Sequence, residues 1–418
     1  MYENTYKYRY DLSLKFDQVK RILLGIDTAK NTGEQLSQIR SKRALIISDP
    51  NVNKFGLLEN IKESLSSQRI KYEIYQDISN EPTMDNIVNA VEFARKDGNF
   101  DSVVGVGGGS VLDTSKMVAS MFTNPGEPAE YLTPIEDKFK VPGLPKILIP
   151  TTGGTGSEVS NMSVVIEKDT MYKTWAASSN LLADTAIVDP KLNLSAPPRT
   201  TAASGMDALA HNIEGYISKE ANPISDGMAL QASYLISHNL RVAYNDPGNI
   251  EARTAMSTAA MLGGMVITFP WVAGPSILGH CLGEAFGPKY GAIHGVAVGM
   301  SLPYILDFNM PVSFERISEL SRVFGLRSRG ESPRSVAEKI PGKIIELLHD
   351  LEMPLTLREI NFPKADIEKF ADYVFESRQK LYDLPRYNPR RLTRENTRNL
   401  IKNMYDGTFE NSTYPKEA

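Results

Sequence analysis

The chain has 418 residues, 41% of them hydrophobic, and 46 Lys and Arg against 50 Asp and Glu give a net charge of −4. This composition supplies a large core and excludes wholesale disorder, and the length indicates two or three domains. The balanced charge argues against nucleic acid or an anionic membrane as the main partner, because both select a basic excess. The single cysteine excludes a disulfide framework, and only five histidines are available as metal ligands.

The N-terminus is polar and rich in tyrosine, without the apolar run of a secretory signal. The uncharged stretch Thr254–Gly283 is long enough to span a bilayer, but it contains Pro270, Pro275 and several glycines, which interrupt a helix. We therefore predict buried helical segments there, no membrane span and a cytoplasmic protein.

The first half alternates short apolar runs with a helical pattern such as Met84–Lys96. The runs are mostly apolar on both faces, as in strands covered by helices on both sides, and the alternation predicts a parallel, doubly wound sheet. The predicted strands are Ala44–Ser48, Tyr72–Tyr75, Ser102–Val106, Ile147–Ile149 and Ala186–Val188.

The second half is helical in pattern, and the proline-rich connection Asp189–Arg199 marks the expected boundary. We predict an α/β domain over 1–190 and an all-α domain over 191–418. The predicted helices of the second domain are Ala203–Ser218, Asp226–Tyr244, Ala252–Ile267, Ser313–Phe324, Pro341–Leu351 and Thr393–Met404.

A glycine turn follows the strand at 102–106 and leads into a helix. Gly107, Gly108 and Gly109 lack the Cβ atoms that would block a pyrophosphate, and Ser110 is a candidate N-cap. The N–H groups of the helix start would then face the phosphates. The pattern G-x-G-x-x-S is only a partial dinucleotide fingerprint, and a simple turn remains open.

Two further strand ends carry polar residues. A hydroxyl- and glycine-rich loop at 150–159 follows the strand ILI, and ligands of open α/β sheets bind at the carboxyl ends of strands. Asp49 follows the strand at 44–48, where a carboxylate would accept hydrogen bonds from a ribose and repel a 2′-phosphate, favouring NAD over NADP. An ordinary turn aspartate before Pro50 is equally compatible.

Asp207 and His211 lie four residues apart in a helical pattern, so both face one side of the helix. One carboxylate with His211, His280 and His294 would suit Fe(II), Zn(II) or another divalent ion. A simple side-chain pair and buried structural histidines remain alternatives. His238 and His349 lie in polar helical patterns and are expected at the surface.

These motifs, in this order, resemble the iron-containing (group III) alcohol dehydrogenase family. The resembling segments are GGGSVLDTSK (107–116), PTTGGTGSEVS (150–160), AIVDPKL (186–192), GMDALAHNIEGY (205–216), ANPISDGMAL (221–230), HCLGEAFGPKYGAIHG (280–295) and NPRRLTREN (388–396). The resemblance implies a Rossmann-like dinucleotide-binding domain, a helical domain and a metal in the cleft between them. It also implies a homodimer or larger homo-oligomer.

The resemblance also implies roles for individual residues. Gly107, Gly108, Gly109 and Ser110 would meet the pyrophosphate, Asp49 would select NAD, and Thr151, Thr152, Thr155, Asp113 and Lys173 would lie near the cofactor. Asp207, His211 and His294 would be metal ligands. The family usually has two histidines four residues apart, and the first of them is a metal ligand. Here His280 matches the second histidine, and the position of the first is occupied by Ser276. His280 is therefore either a ligand, because it keeps the 14-residue separation from His294, or the second histidine beside the substrate.

The resulting hypothesis is reversible, NAD(P)-dependent oxidation of an alcohol to an aldehyde, with a divalent metal acting on the substrate oxygen and His280 as a possible proton relay. Three alternatives remain: a metal-independent reductase resembling maleylacetate reductases, a lyase resembling dehydroquinate synthase, and a catalytically inactive nucleotide-binding protein. The segments 205–216 and 274–296 contain one basic residue, Lys289, which argues against a phosphorylated or multiply anionic substrate. Phe269, Trp271 and Val272 weakly favour a small, uncharged one.

Overall fold

A computed structural model of the chain describes residues 16–78, 83–132, 136–166, 173–268, 277–327 and 329–414. Its strands all lie before residue 189, as the sequence pattern predicts. They are β1 Arg21–Leu24, β2 Arg43–Ile47, β3 Lys71–Tyr75, β4 Ser102–Gly107, β5 Lys146–Pro150, β6 Met162–Ile166, β7 Lys173–Ala177 and β8 Thr185–Val188.

Six strands form one parallel sheet in the order β1-β8-β5-β4-β2-β3. Alternate residues of each central strand enter separate cores. In β2, for example, Leu45 and Ile47 pack on one face, and Ala44 and Ile46 on the other. Burial on both faces explains why the strands are continuously apolar. β1 was not predicted, because it is a short edge strand with an exposed residue at each end.

The helices of the first half are α1 Thr32–Gln38, α2 Pro50–Lys54, α3 Glu59–Ser67, α4 Met84–Asp97 and α5 Gly109–Met121. The chain passes from β2 to β3 on one side, then returns to place β4 on the other side of β2. This reversal opens a crevice outside the carboxyl ends of β2 and β4, the usual ligand site of such sheets.

β6 and β7 form a separate antiparallel hairpin that the sequence pattern did not indicate. The hairpin pairs Val164 with Trp175 and packs Trp175 into the helical core. It therefore connects the sheet with the helical half.

The second half is helical throughout the described residues. Its helices are α6 Pro198–Ile217, α7 Pro223–Asn245, α8 Ile250–Ile267, α9 Leu278–Tyr290, α10 His294–Glu319, α11 Pro333–Ala337, α12 Ile340–Asp350, α13 Ile367–Tyr373, α14 Gln379–Leu381, α15 Leu384–Tyr387 and α16 Arg394–Asp406. A π-helical turn, Val374–Arg378, joins α13 to α14.

α6 lies at the centre of this half and is buried on nearly all sides beyond Gly205. It packs against α7, α8 and α10. The sequence pattern placed only the end of α10, from Ser313, as helix. The observed helix begins at His294, contains Pro303 and Pro311, and kinks at Ser313, as prolines inside a helix remove backbone hydrogen bonds.

The uncharged stretch tested as a membrane span contributes to α8 and to the start of α9, and residues 269–276 lie outside the described part. Across the part of the chain that is described, no helix has both the length and the apolar character needed to cross a bilayer.

Candidate active site

The glycine turn lies at the carboxyl end of β4, where α5 begins. Gly107 and Gly109 are required for packing: an added Cβ would approach Val111 Cγ2 to 2.6 Å and Thr155 Cγ2 to 2.8 Å, respectively. Gly108 is different, because its nearest neighbour would be Thr152 Cγ2 at 3.7 Å. The open side of the turn is therefore at Gly108.

The N-cap of α5 is Gly108, not Ser110 as the sequence suggested, because the helix begins at Gly109, two residues earlier than an N-cap at Ser110 would place it. Ser110 lies in the first turn. Gly108 has no side chain with which to cap this helix start. Its first-turn N–H groups are thus oriented as an anion site requires.

The second loop lies beside the first, because β4 and β5 pair in register with Gly107 opposite Pro150. The backbone N–H of Thr151 donates to the carbonyl of Gly107 over 3.0 Å. Thr152 and Thr155 face Gly108 and Gly109. The two loops therefore form one wall of the crevice, as expected from their motifs.

Asp49 follows β2 and caps α2. Its Oδ1 accepts the backbone N–H groups of Asn51, over 2.8 Å, and Val52, over 3.2 Å. Asp49 therefore has the local structural role that the sequence offered as an alternative to cofactor binding. The same position is at the strand reversal next to β4, so the carboxylate also lies at the edge of the crevice.

Asp113 is buried within α5. Its carboxylate accepts from the Ser157 hydroxyl (2.6 Å), the Lys116 ammonium (3.1 Å) and the backbone N–H of Val164 (3.0 Å). These bonds join α5 to the second loop and to the hairpin. Lys173 is buried at the start of β7, and its carbonyl accepts from the Arg378 guanidinium over 3.3 Å.

The second loop also reaches the helical half. A Cβ on Gly154 would lie 2.7 Å from the Cβ of Ser204 on α6, so only glycine permits this approach. The backbone of Gly154 also lies against the imidazole of His211. The crevice at the sheet edge is therefore continuous with the face of α6 that carries Asp207 and His211.

Three histidines converge on Asp207. From its Oδ1, the Nε2 atoms of His294, His280 and His211 lie at 3.4, 3.6 and 4.0 Å. Asp207 and His211 come from α6, His280 from α9 and His294 from the first residue of α10. The tightest group is Asp207, His280 and His294, and His211 stacks on His280 with ring centroids 4.4 Å apart.

The electrostatics suit a cation. Burial would raise the pKa of Asp207, but His211, His294 and His280 hold it well below its usual range. Burial, against the pull of Asp207, lowers the pKa of His211 to about 3, so this imidazole is neutral and can ligate. Burial opposes protonation of His280 as well, yet Glu214 and Asp207 raise its pKa to about 10, so a cation bound at Nε2 would replace a proton there.

The donor set fits a divalent metal. Asp207 Oδ1 and His280 Nε2 are buried, and neither has a hydrogen-bond partner among the described residues, a costly arrangement without a ligand. Two ligand atoms about 2.1 Å from one tetrahedral ion lie roughly 3.4 Å apart, close to the observed separations. One carboxylate with imidazoles suits first-row ions.

Several neighbours of this site were not predicted. Glu214 on α6 bonds to His280, and Glu284 lies one turn after His280 on α9. Glu284 forms an ion pair with Arg378 and accepts a hydrogen bond from Tyr382. The π-helical turn that positions Arg378 has no sequence signature, although such turns are frequent at functional sites.

The remaining predictions concern histidines, a cysteine and aromatic residues outside the Asp207 cluster. His238 and His349 are exposed on α7 and α12, as predicted. Cys281 is buried, and burial raises the pKa of its thiol to about 12, so it is inert packing. Phe269, Trp271, Val272 and Ser276 lie outside the described residues.

A crevice at the carboxyl ends of the strands, joined to a buried Asp/His cluster that could hold a metal ion, is typical of a metal-dependent nicotinamide oxidoreductase. Family models agree: "Iron-containing alcohol dehydrogenase" matches residues 19–190, and the C-terminal model of the Fe-containing alcohol dehydrogenase family matches residues 201–405. The chain belongs to the iron-containing alcohol dehydrogenase family.

Individual relatives support the assignment to the iron-containing alcohol dehydrogenase family. Long-chain-alcohol dehydrogenase 1 of Geobacillus thermodenitrificans is 35% identical over 84% of this chain and 87% of its own. The solved alcohol dehydrogenase from Oenococcus oeni is 30% identical, with a TM-score of 0.87 over 94% of this chain and 100% of its own. The sulfoacetaldehyde reductase of Bifidobacterium kashiwanohense, solved with NAD⁺, is 25% identical, with a TM-score of 0.81 over 94% and 99%.

The predicted fold class and activity are thereby confirmed. The chain is an oxidoreductase that acts on CH–OH groups with a nicotinamide dinucleotide and a divalent metal, and iron is the metal of its family. The lyase and the metal-independent reductase are not favoured.

Proposed function

We propose that this dehydrogenase holds its metal with Asp207, His211, His280 and His294, and that its substrate is a small, uncharged alcohol or the matching aldehyde. The convergence of the three imidazoles on the unbonded Oδ1 of Asp207, at 3.4 to 4.0 Å, carries the proposal. The approach of Gly154 to α6 supports it, because this contact joins the cofactor crevice to the metal ligands.

When bound, the metal supplies Lewis acidity toward the substrate oxygen, and the nicotinamide exchanges hydride with the carbinol carbon. The chain supplies position and charge. His211 offers a neutral imidazole, and Asp207 offers a carboxylate that remains ionised at any working pH. Burial of these groups excludes competing water.

The sequence leaves two roles open for His280, metal ligand or proton relay. Its Nδ1 is bonded to the fully buried Glu214, which gives no route from this nitrogen to solvent. Its Nε2 lies beside Asp207. These contacts support the ligand role. With His280 as ligand, the residue four positions later is Glu284, and Ser276 needs no role in the metal site.

For the cofactor, we propose that the pyrophosphate lies over Gly107, Gly108, Gly109 and Ser110 at the start of α5, and that Thr151, Thr152 and Thr155 line its other side. Asp49 at the strand reversal favours NAD over NADP, because its negative charge repels a 2′-phosphate. Asp113 acts indirectly, since its bonds fix the second loop against α5. Lys173, at the start of β7, is proposed to lie near the cofactor as well.

The substrate proposal rests on charge balance near the metal. Arg378 is buried against Glu284, the residue one helical turn after His280 on α9, and the Glu284 carboxylate, 3.6 Å from the guanidinium, compensates its charge. An anionic group would need an uncompensated cation here. The names of the relatives cover both a long-chain alcohol and sulfoacetaldehyde, and the pairing of Arg378 favours an uncharged substrate.

We further propose a domain division into 1–190 and 191–418, a homodimer or larger homo-oligomer, and action in the cytoplasm. The division follows the change from strands to helices after Val188. The oligomer follows from the family resemblance alone.

The decisive experiment is a spectrophotometric assay of NADH formation with a panel of alcohols, on chelator-treated enzyme reconstituted with Fe(II) or Zn(II). We expect metal-dependent turnover of small, uncharged alcohols with NAD⁺ in preference to NADP⁺. Full turnover of the metal-free enzyme would contradict the metal assignment. A preference for a carboxylated or sulfonated alcohol would contradict the substrate proposal.

A further inference from the structure

One buried carboxylate, Glu214, connects α6 and α9, two of the three helices that carry metal-site residues. It lies on α6, two turns after Asp207, and its side chain contacts the first turn of α9, which carries His280. Glu214 is 0% exposed. A carboxylate this deep is stable only where charge or hydrogen bonds compensate its desolvation.

The Glu214 carboxylate contacts three backbone N–H groups and the ring of His280. Oε2 accepts the backbone N–H groups of Ile277, Gly279 and His280 over 2.8, 3.1 and 3.4 Å. Oε1 lies 2.8 Å from Nδ1 of His280. A Cβ on Gly279 would lie 2.5 Å from Oε1, so a side chain at position 279 would displace the carboxylate.

The donor pattern has a consequence for the imidazole. Because Oε1 can only accept, Nδ1 of His280 must carry a hydrogen. In the neutral ring the lone pair is then on Nε2, which faces Asp207 Oδ1 at 3.6 Å. Carboxylates that orient ligating histidines in this way commonly strengthen metal binding.

We propose that Glu214 is a positioning residue that selects the Nδ1–H tautomer of His280 and docks α9 on α6, so that Nε2 is presented to the metal. This inference rests on the proposed role of His280 as a ligand. A residue that merely capped α9 would need only the Oε2 contacts, whereas the proposed role depends on the Oε1 contact with Nδ1.

Glu214→Gln separates these roles. An amide has one acceptor and one donor end. Three backbone N–H groups require the acceptor, so the amide NH₂ should face Nδ1 of His280 and force the proton to Nε2, where it blocks ligation. A pure capping function would survive this change. We therefore expect near-wild-type folding, but a dissociation constant for Zn(II) about 10–100-fold higher.

The Zn(II) dissociation constant is measured by competition with a chromophoric chelator, with Glu251→Gln, an exposed carboxylate on α8, as matched control. His280→Ala tests the underlying assignment. If His280→Ala binds Zn(II) as the wild type does, the ligand assignment is wrong. If His280→Ala loses Zn(II) and folded Glu214→Gln binds it within twofold of wild type, the positioning role is wrong and the ligand role stands.

A second measurement does not depend on how Glu214→Gln folds. In zinc-loaded wild-type enzyme with ¹⁵N-labelled histidine, the five imidazoles give few signals to assign. We expect His280 to carry its proton on Nδ1 and to lack one on Nε2. Ligation through Nδ1, or a proton on Nε2, would overturn the proposal.

Discussion

The guanidinium of Arg378, at the end of the π-helical turn, lies 3.6 Å from the carboxylate of Glu284 on α9. Both groups are almost fully buried, with side chains 2% and 8% exposed, and Tyr382 donates a further hydrogen bond to Glu284. The pair thus fixes the C-terminal region against the helix that carries His280. A compensated buried pair of this kind gives definite expectations when one partner is removed.

Arg378→Met should destabilise the protein by about 3–5 kcal/mol, because Glu284 would remain as an uncompensated buried charge. The double variant Arg378→Met/Glu284→Gln should recover most of this loss. The free energies of unfolding of the single and double variants are measured by denaturant titration. Arg394→Met, which removes two exposed ion pairs and a contact of the guanidinium with the Phe375 ring, is the control and should have a much smaller effect. Equal destabilisation by single and double variants would show that the charge pair is not the cause.

His211→Ala should lose metal and most activity, because one of four proposed ligands is removed. The loss should exceed the roughly 10–100-fold typical of residues that only support ligands. Metal content by mass spectrometry and NADH formation are the two readouts, with the exposed His238→Ala as control. Full metal content together with full turnover in His211→Ala would exclude it from the site.

Gly108→Ala should weaken NAD⁺ binding without disturbing the fold. The added methyl group has no protein atom nearer than 3.7 Å, so the fold tolerates it, but it would project into the proposed path of the pyrophosphate. We expect a dissociation constant for NAD⁺ at least about tenfold higher by calorimetry, equivalent to about 1.4 kcal/mol. Gly227→Ala, which has open space around its Cβ, is the matched control. Unchanged affinity would place the cofactor elsewhere.

Asp49→Asn should reduce discrimination against NADP⁺ while preserving stability. Asparagine caps a helix about as well as aspartate, so the bonds to Asn51 and Val52 should remain. Only the negative charge is lost. The ratio of kcat/KM for NAD⁺ over NADP⁺ should fall about tenfold, equivalent to about 1.4 kcal/mol. An unchanged ratio would leave Asp49 as a helix cap alone.

Glu158→Gln should change how stability depends on pH. Burial raises the pKa of Glu158 to about 7 from an ordinary value of 4.5, against the opposing effect of Lys116. The folded state therefore binds more protons than the unfolded state between these values, and stability should fall as pH rises from about 4.5 through 7. At 1.36 kcal/mol per pKa unit the loss is at most about 3 kcal/mol.

The test compares unfolding free energies at pH 5 and pH 8. The wild type should lose stability between them, and Glu158→Gln should lose less. Glu63→Gln, an exposed change on α3, should behave as the wild type. A wild-type curve that rises over this range would have the opposite sign and contradict the prediction.

Several features of the fold and of the candidate site can be predicted from the local sequence pattern. Four strands of the sheet, β2, β4, β5 and β8, are mostly apolar, and their burial on both faces requires that composition, whereas the edge strand β3 is more exposed. The glycine turn is defined by three adjacent residues at a strand end. Asp207 and His211 share a face because the helical period places residues four apart one above the other. Each of these features depends on neighbours within one element.

Other features depended on packing between elements. His280 and His294 join Asp207 only because α9 and α10 pack against α6. The sequence left His280 with two roles, and its contacts with Glu214 and Asp207 are the basis for proposing the ligand role. Arg378 meets Glu284 across a long stretch of chain, and the segments near the metal motifs contain no sign of it. The spacing of residues along one helix determines which side chains share a face. Which helices pack together depends on the burial of their apolar faces, and this cannot be deduced from the pattern of any one helix.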